Sequence, residues 1–249
     1  MKTILTILIS LMVSTAMAQV PKTRPLSELI NKQEPYWDII KTSLKTAKNK
    51  VEVLPKNKSA ADSALLATQV TTRSPMGAVV YETGGILIDN GWLRILGSGS
   101  SRLNRTLMGW NKGKSYKEGE CTLPFLLIAD DVMGGFYAVN NGGISQAAND
   151  QRKVFYFAPD NLKWEPMDMG YGDFLNFCIN GDLKSYYQSM YWTGWENEVA
   201  KLDGNKGYSC IPMLFTKEGK DVNKVSRKAV PIEELWGISQ EIASQLNGK

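Results

Sequence analysis

The chain has 249 residues and a formal net charge of +4, with its 29 basic residues scattered among 25 acidic ones. So mild a surplus reads as a solvated surface and makes no case for a nucleic-acid partner. Histidine is absent, which excludes Ser-His-Asp and Cys-His catalysis, histidine zinc sites and histidine proton shuttles together.

Residues 1–18 read as a signal peptide. Lys2 supplies the positive end, Ile4 to Val13 the apolar run, and Ala16-Met17-Ala18 the cleavage site before Gln19. That run is far shorter than the ~20 residues a spanning helix needs, and no later stretch is long enough. The expectation is an exported protein, periplasmic or secreted, with no membrane span after cleavage. Residues 19–25 read as a linker and residues 26–249 as a single domain.

Ser27 is expected to cap a first helix that Pro35 interrupts. Trp37, Ile40, Leu44 and Ala47 recur at helical spacing up to Asn49. Residues 51–55 read as extended, and Ser59 with Asp62 resembles a capping box opening a helix through about Val70. Strands are predicted at Ala78–Glu82, Ile86–Asp89 and Trp92–Leu96, with Asn90-Gly91 as a two-residue hairpin turn. Residues 97–120, rich in Gly, Ser, Asn and Lys, read as a long surface loop. Further strands are predicted at Phe125–Ala129, Phe136–Asn140 and Val154–Ala158, with Gly134-Gly135 turning one hairpin. The last third reads as helical: Tyr171–Asn180, a helix capped by Asp182, Trp195–Leu202, and a closing helix after Pro231, with an edge strand at Pro212–Phe215. The fold class is α+β, a central, mainly antiparallel sheet flanked by N- and C-terminal helices.

Several motifs in this order are similar to a known family. VEVLP, TTRSPMGA followed by YETGGILIDNGWLRILGSG, FLLIADDVMGGFYAVN, VFYFAPDNLKWEPM and GYGDFLNF resemble the bacterial domain-of-unknown-function family 2625 over residues 26–240. That resemblance implies no activity, cofactor or catalytic residue. A more distant likeness, over Leu123 to Leu202, is to the SUKH superfamily, whose members are proposed immunity proteins that bind toxins. Those relatives are mostly intracellular, and the signal peptide departs from that pattern.

Among candidate residues, Glu82, Asp89 and one of Asp130-Asp131 could form a carboxylate site for acid–base chemistry or for Ca²⁺. Adjacent strand residues face opposite ways, so only one of that pair could join it. Asp131 is taken as the member. The competing reading is that these carboxylates cap turns. Arg73 and Arg94 either pair with Glu82 or Asp89 or hold an anionic ligand. Gly97 to Arg102 is an anion nest or a loop. Ser74, before Pro75, is a nucleophile without a histidine base or, more simply, a local turn residue. Aromatics concentrate between residues 164 and 195, and Trp164, Tyr187, Trp192 and Trp195 are either helix–sheet packing or a binding face. Of three cysteines, Cys178 reads as a buried thiol. Cys121 and Cys210 either pair or stay free. No cofactor and no metal are expected. The sequence favours a non-catalytic module that binds another protein, a toxin or an envelope component, over a carboxylate-dependent envelope enzyme acting on glycans.

Overall fold

The computed structural model describes residues 23–117 and 123–247. In chain order the elements are α1 (Leu26–Leu29), α2 (Trp37–Lys45), β1 (Val51–Leu54), α3 (Lys58–Thr68), α4 (Pro75–Glu82), β2 (Gly85–Ile88), β3 (Leu93–Leu96), α5 (Leu107–Asn111) and β4 (Phe125–Asp131). They continue with β5 (Phe136–Asn140), β6 (Val154–Ala158), β7 (Lys163–Pro166), α6 (Tyr171–Asn180), α7 (Leu183–Tyr186), α8 (Trp195–Val199), β8 (Lys206–Ile211), β9 (Ser226–Pro231) and α9 (Ile232–Asn247). Strands β1 to β7 form one antiparallel sheet in sequence order, and β8 with β9 forms a second, two-stranded one. The architecture is α+β.

The central strands are covered on both faces. Every residue of β2, β3 and β6 is buried, which is why they read as unbroken apolar runs rather than alternating ones. Neighbours on β5 mark the two sides. Phe136 meets Trp236 of α9 and stacks on Trp110 of α5. Tyr137 meets Phe174 of α6 and reaches Tyr187 just beyond α7. The sheet thus lies between α6–α7 on one side and α5 with α9 on the other. The same alternation separates Asp130 from Asp131 at the end of β4, as strand geometry requires.

Several expectations are corrected. Ala78–Glu82 is helical: Ser74 caps α4 by accepting the Gly77 N–H at 3.1 Å, and Pro75 occupies the first turn. Ala78, Val79 and Val80 are all fully buried, so the run shows no amphipathic period, and β-branched residues mimic a strand. Helix α1 is a single turn preceded by Pro25, with no side-chain cap from Ser27. Asn57, not Ser59, caps α3 by accepting from Ala60 N. Helix α2 ends at Lys45, and Asn49 instead donates to the Cys178 and Gly181 carbonyls at the end of α6. The β2–β3 connection is four residues, Asp89 to Trp92, built on left-handed Asp89 and Asn90. The surface loop expected over residues 97–120 is not what residues 97–117 form, since α5 lies there, capped by Thr106, with Leu103, Leu107 and Trp110 buried. Helix α8 stops at Val199, short of Leu202. No strand forms at Pro212–Phe215. The extra strands are β7, at the edge of the main sheet, and β8 with β9.

Candidate functional site

The charges of residues 71–99 do not converge. Arg73 is exposed and pairs with Glu34 at 2.7 Å. Glu82, at the end of α4, pairs with Lys56 at 2.7 Å. Asp89 accepts the Lys50 N–H at 3.1 Å, and burial raises its carboxyl pKa. The expected pairing of Arg73 or Arg94 with Glu82 or Asp89 is therefore absent, because α4 turns Glu82 away from the sheet register that carries Arg94. Ser74 donates to the Thr71 carbonyl at 2.9 Å while capping α4. In the Gly97–Arg102 segment Ser98 donates to the Thr83 carbonyl and Arg102 pairs with Glu52.

Arg94 is fully buried opposite Asp130 on β4, in register. Its Nε donates to Asp130 Oδ1 at 2.6 Å, and its other nitrogens donate to the Asp131 and Lys206 carbonyls. Arg105 engages the same carboxylate and donates to the Gly204 carbonyl at 3.1 Å. One carboxylate is thus shared by two guanidinium groups, and both tie the main sheet to the segment that enters β8. Desolvation lowers the Arg94 pKa, and Asp130 counters it.

On the opposite face Asp131 is fully buried. Its Oδ1 accepts the Met133 and Gly135 N–H groups at 2.9 Å, closing the β4–β5 turn. Its Oδ2 accepts Tyr156 at 2.7 Å and Tyr187 at 3.2 Å, and Tyr187 also bonds Tyr137. Burial raises the Asp131 pKa, opposed by those donors. Burial also holds all three tyrosines well above their ordinary pKa, so they stay protonated and able to donate. Asp131 therefore shares no cleft with Glu82 or Asp89.

The aromatic residues of this region pack on one another. Trp92, predicted to open a strand, is their hub. It touches Tyr187, Tyr191, Trp192 and Trp195 with ring centroids 4.5–5.7 Å apart. Tyr187 and Trp192 are buried, and Arg227 lies over the Trp192 ring. Trp195 is half-buried and stacked on Tyr191, and Trp164 is half-buried against Phe125 and Phe157. Tyr187 and Trp192 are thus packed inside, while Trp164 and Trp195 keep part of their surface in solvent. Cys178 and Cys210 are buried free thiols. Burial pushes Cys210 up to about 11 and Cys178 well above its usual range. Cys121 lies outside the described residues.

Two of the cavities among the described residues lie against α9. An apolar groove runs under α9, lined by Met133, Leu162, Cys210, Met213, Leu235 and Ile242. Met213, on its wall, is partly exposed. The second, of about 410 Å³, lies between α5 and the start of α9, with Arg105, Trp110, Lys114 and Glu233 on its walls. Arg105, Trp110 and Lys114 lie in the stretch expected to be a loop, which hides them as site residues. The signal was Thr106 three residues before Gly109, a cap ahead of Leu107 and Trp110. Neither cavity is lined by Glu82, Asp89 or Asp131. Among the described residues no group of three or more His, Cys, Asp or Glu could hold a metal ion, and no helix is long and apolar enough to cross a membrane.

The family described as "Protein of unknown function DUF2625" matches residues 26–235. The chain is 40% identical over 219 residues to the "Putative uncharacterized protein YbfG" of Escherichia coli (strain K12), covering 88% of this chain and 97% of that protein. It is 39% identical over 208 residues to an "Uncharacterized protein" of Haemophilus influenzae (strain ATCC 51907 / DSM 11121 / KW20 / Rd), covering 84% of this chain and 90% of that one. No solved structure matches. By the extent of the family match and by both relatives, the chain belongs to the DUF2625 family.

Proposed function

We propose that this protein is exported, is not an enzyme, and works by binding another protein, a toxin or an envelope component. The observation that carries the reading is the apolar groove under α9 with its exposed rim. Met213 on its wall is 38% exposed, beside a floor formed by Leu162, Leu235 and Ile242. Exposed apolar side chains around a concave surface mark interaction sites. Asp131 is bonded by Tyr156 and Tyr187, and Glu82 and Asp89 are placed apart from it, which argues against a carboxylate pair of the kind glycan hydrolysis uses. The likeness of residues 123–202 to the SUKH superfamily favours a toxin as the partner.

The test is affinity capture from an envelope extract, with wild type compared against Met213→Glu and Ile242→Glu. A partner retained by wild type and lost by both folded variants supports the reading. Turnover of a substrate from a broad hydrolase panel, abolished by Glu82→Gln, would overturn it. Export is tested separately by N-terminal sequencing of the processed protein, which should begin at Gln19.

A further inference from the structure

We propose that the cavity between α5 and α9 binds the carboxylate of a small organic acid, which takes the place Glu233 now holds on Lys114. The inference is independent of the protein-binding reading. It rests first on charge. Arg105 is 9% exposed, and the Lys114 side chain is 8% exposed. Cations so removed from water need anionic partners. Arg105 must share Asp130 with Arg94, so that one buried carboxylate serves two guanidinium groups. Lys114 pairs with Glu233 at 2.9 Å, and the Glu233 side chain is 64% exposed.

An exposed carboxylate on a buried ammonium is readily exchanged, because its own share of the pair is solvated and weakly held. Glu233 also sits in the first turn of α9, where the helix dipole favours a carboxylate whether or not Lys114 is engaged. Trp110 positions both cations, with the Arg105 guanidinium 4.7 Å and the Lys114 Nζ 4.0 Å from its ring. Arg105 Nε and Trp110 Nε1 are buried without a hydrogen-bond partner among the described residues, so the cation wall is under-satisfied as it stands. The rest of the cavity explains the preference for an organic acid. Trp110, Pro231 and Ile232 give it an apolar side, suited to a carbon skeleton and poorly suited to a hydrated inorganic anion. A volume of about 410 Å³ falls at the small end of ligand sites.

The experiment is a titration of the full chain with succinate at constant ionic strength. Calorimetry and the Trp110 indole ¹H–¹⁵N resonance are the readouts, with Trp110→Phe assigning the signal. Saturable binding that moves this resonance is expected. Glu233→Gln, a change at an exposed side chain, should tighten it at least about 5-fold, and Lys114→Met should weaken it at least about 10-fold, as loss of a charge-assisted contact does. Absence of saturable binding, inorganic phosphate binding as tightly as succinate, or a Glu233→Gln affinity equal to or weaker than wild type would each overturn the proposal.

Discussion

At Asp131, burial and hydrogen bonding act against each other, and burial is the larger effect. A carboxyl whose folded pKa lies above its unfolded value binds more protons when folded. Its contribution to stability therefore falls as pH rises from the ordinary carboxylate range, about 4, through the raised folded value. Asp131→Asn cannot titrate, so wild type should lose stability relative to it across that window. Urea midpoints measured from pH 4 to 8 check this, and a constant difference would contradict it. Ser74 is a simpler case. The sequence left it between nucleophile and turn residue, and the structure makes it the cap of α4. Ser74→Ala should cost about 1 kcal/mol, read by urea denaturation. Neither role could be chosen from the residue alone, because a serine before proline serves both.

Elements are tied together by a few close approaches. At the β4–β5 turn, a Cβ on Gly135 would overlap both Asp131 Oδ2 and the Tyr156 hydroxyl. Those groups are fixed by their own bonds, so Gly135→Ala should cost about 1–3 kcal/mol, measured by equilibrium unfolding. The sequence placed this glycine pair at a hairpin but did not show why the second one is needed. Arg94 joins β3 to β4 and to the Lys206 carbonyl. Arg94→Leu should destabilise by about 3–5 kcal/mol, since Asp130 and two carbonyls lose a buried donor. Amide exchange along Lys206–Ile211 should speed up as well. Strands β2 to β6 were legible as short apolar runs, and α6 as an amphipathic run stopped at Asn180-Gly181. Helices α4 and α5 were not. The first is buried all round and the second is one short turn inside a polar-looking stretch, so neither displays a period.

On the scale of the whole molecule, β8, β9 and α9 pack against the sheet through Arg94, Arg105 and the Phe136–Trp236 contact. We expect one cooperative unfolding transition, with tryptophan fluorescence and far-UV circular dichroism coinciding in urea. Two separated transitions would instead divide the C-terminal unit from the sheet. Composition and motif order determined the α+β class, the absence of histidine chemistry, the opposed faces of Asp130 and Asp131, and the family, because each follows from local pattern or residue identity. Which charges meet was decided only by the tertiary structure. Arg94 takes Asp130, Glu82 takes Lys56, and Arg105 and Lys114 gather on Trp110 at the mouth of a cavity. Ion pairing depends on strand register and on distances between residues remote in the chain, neither of which a single sequence displays.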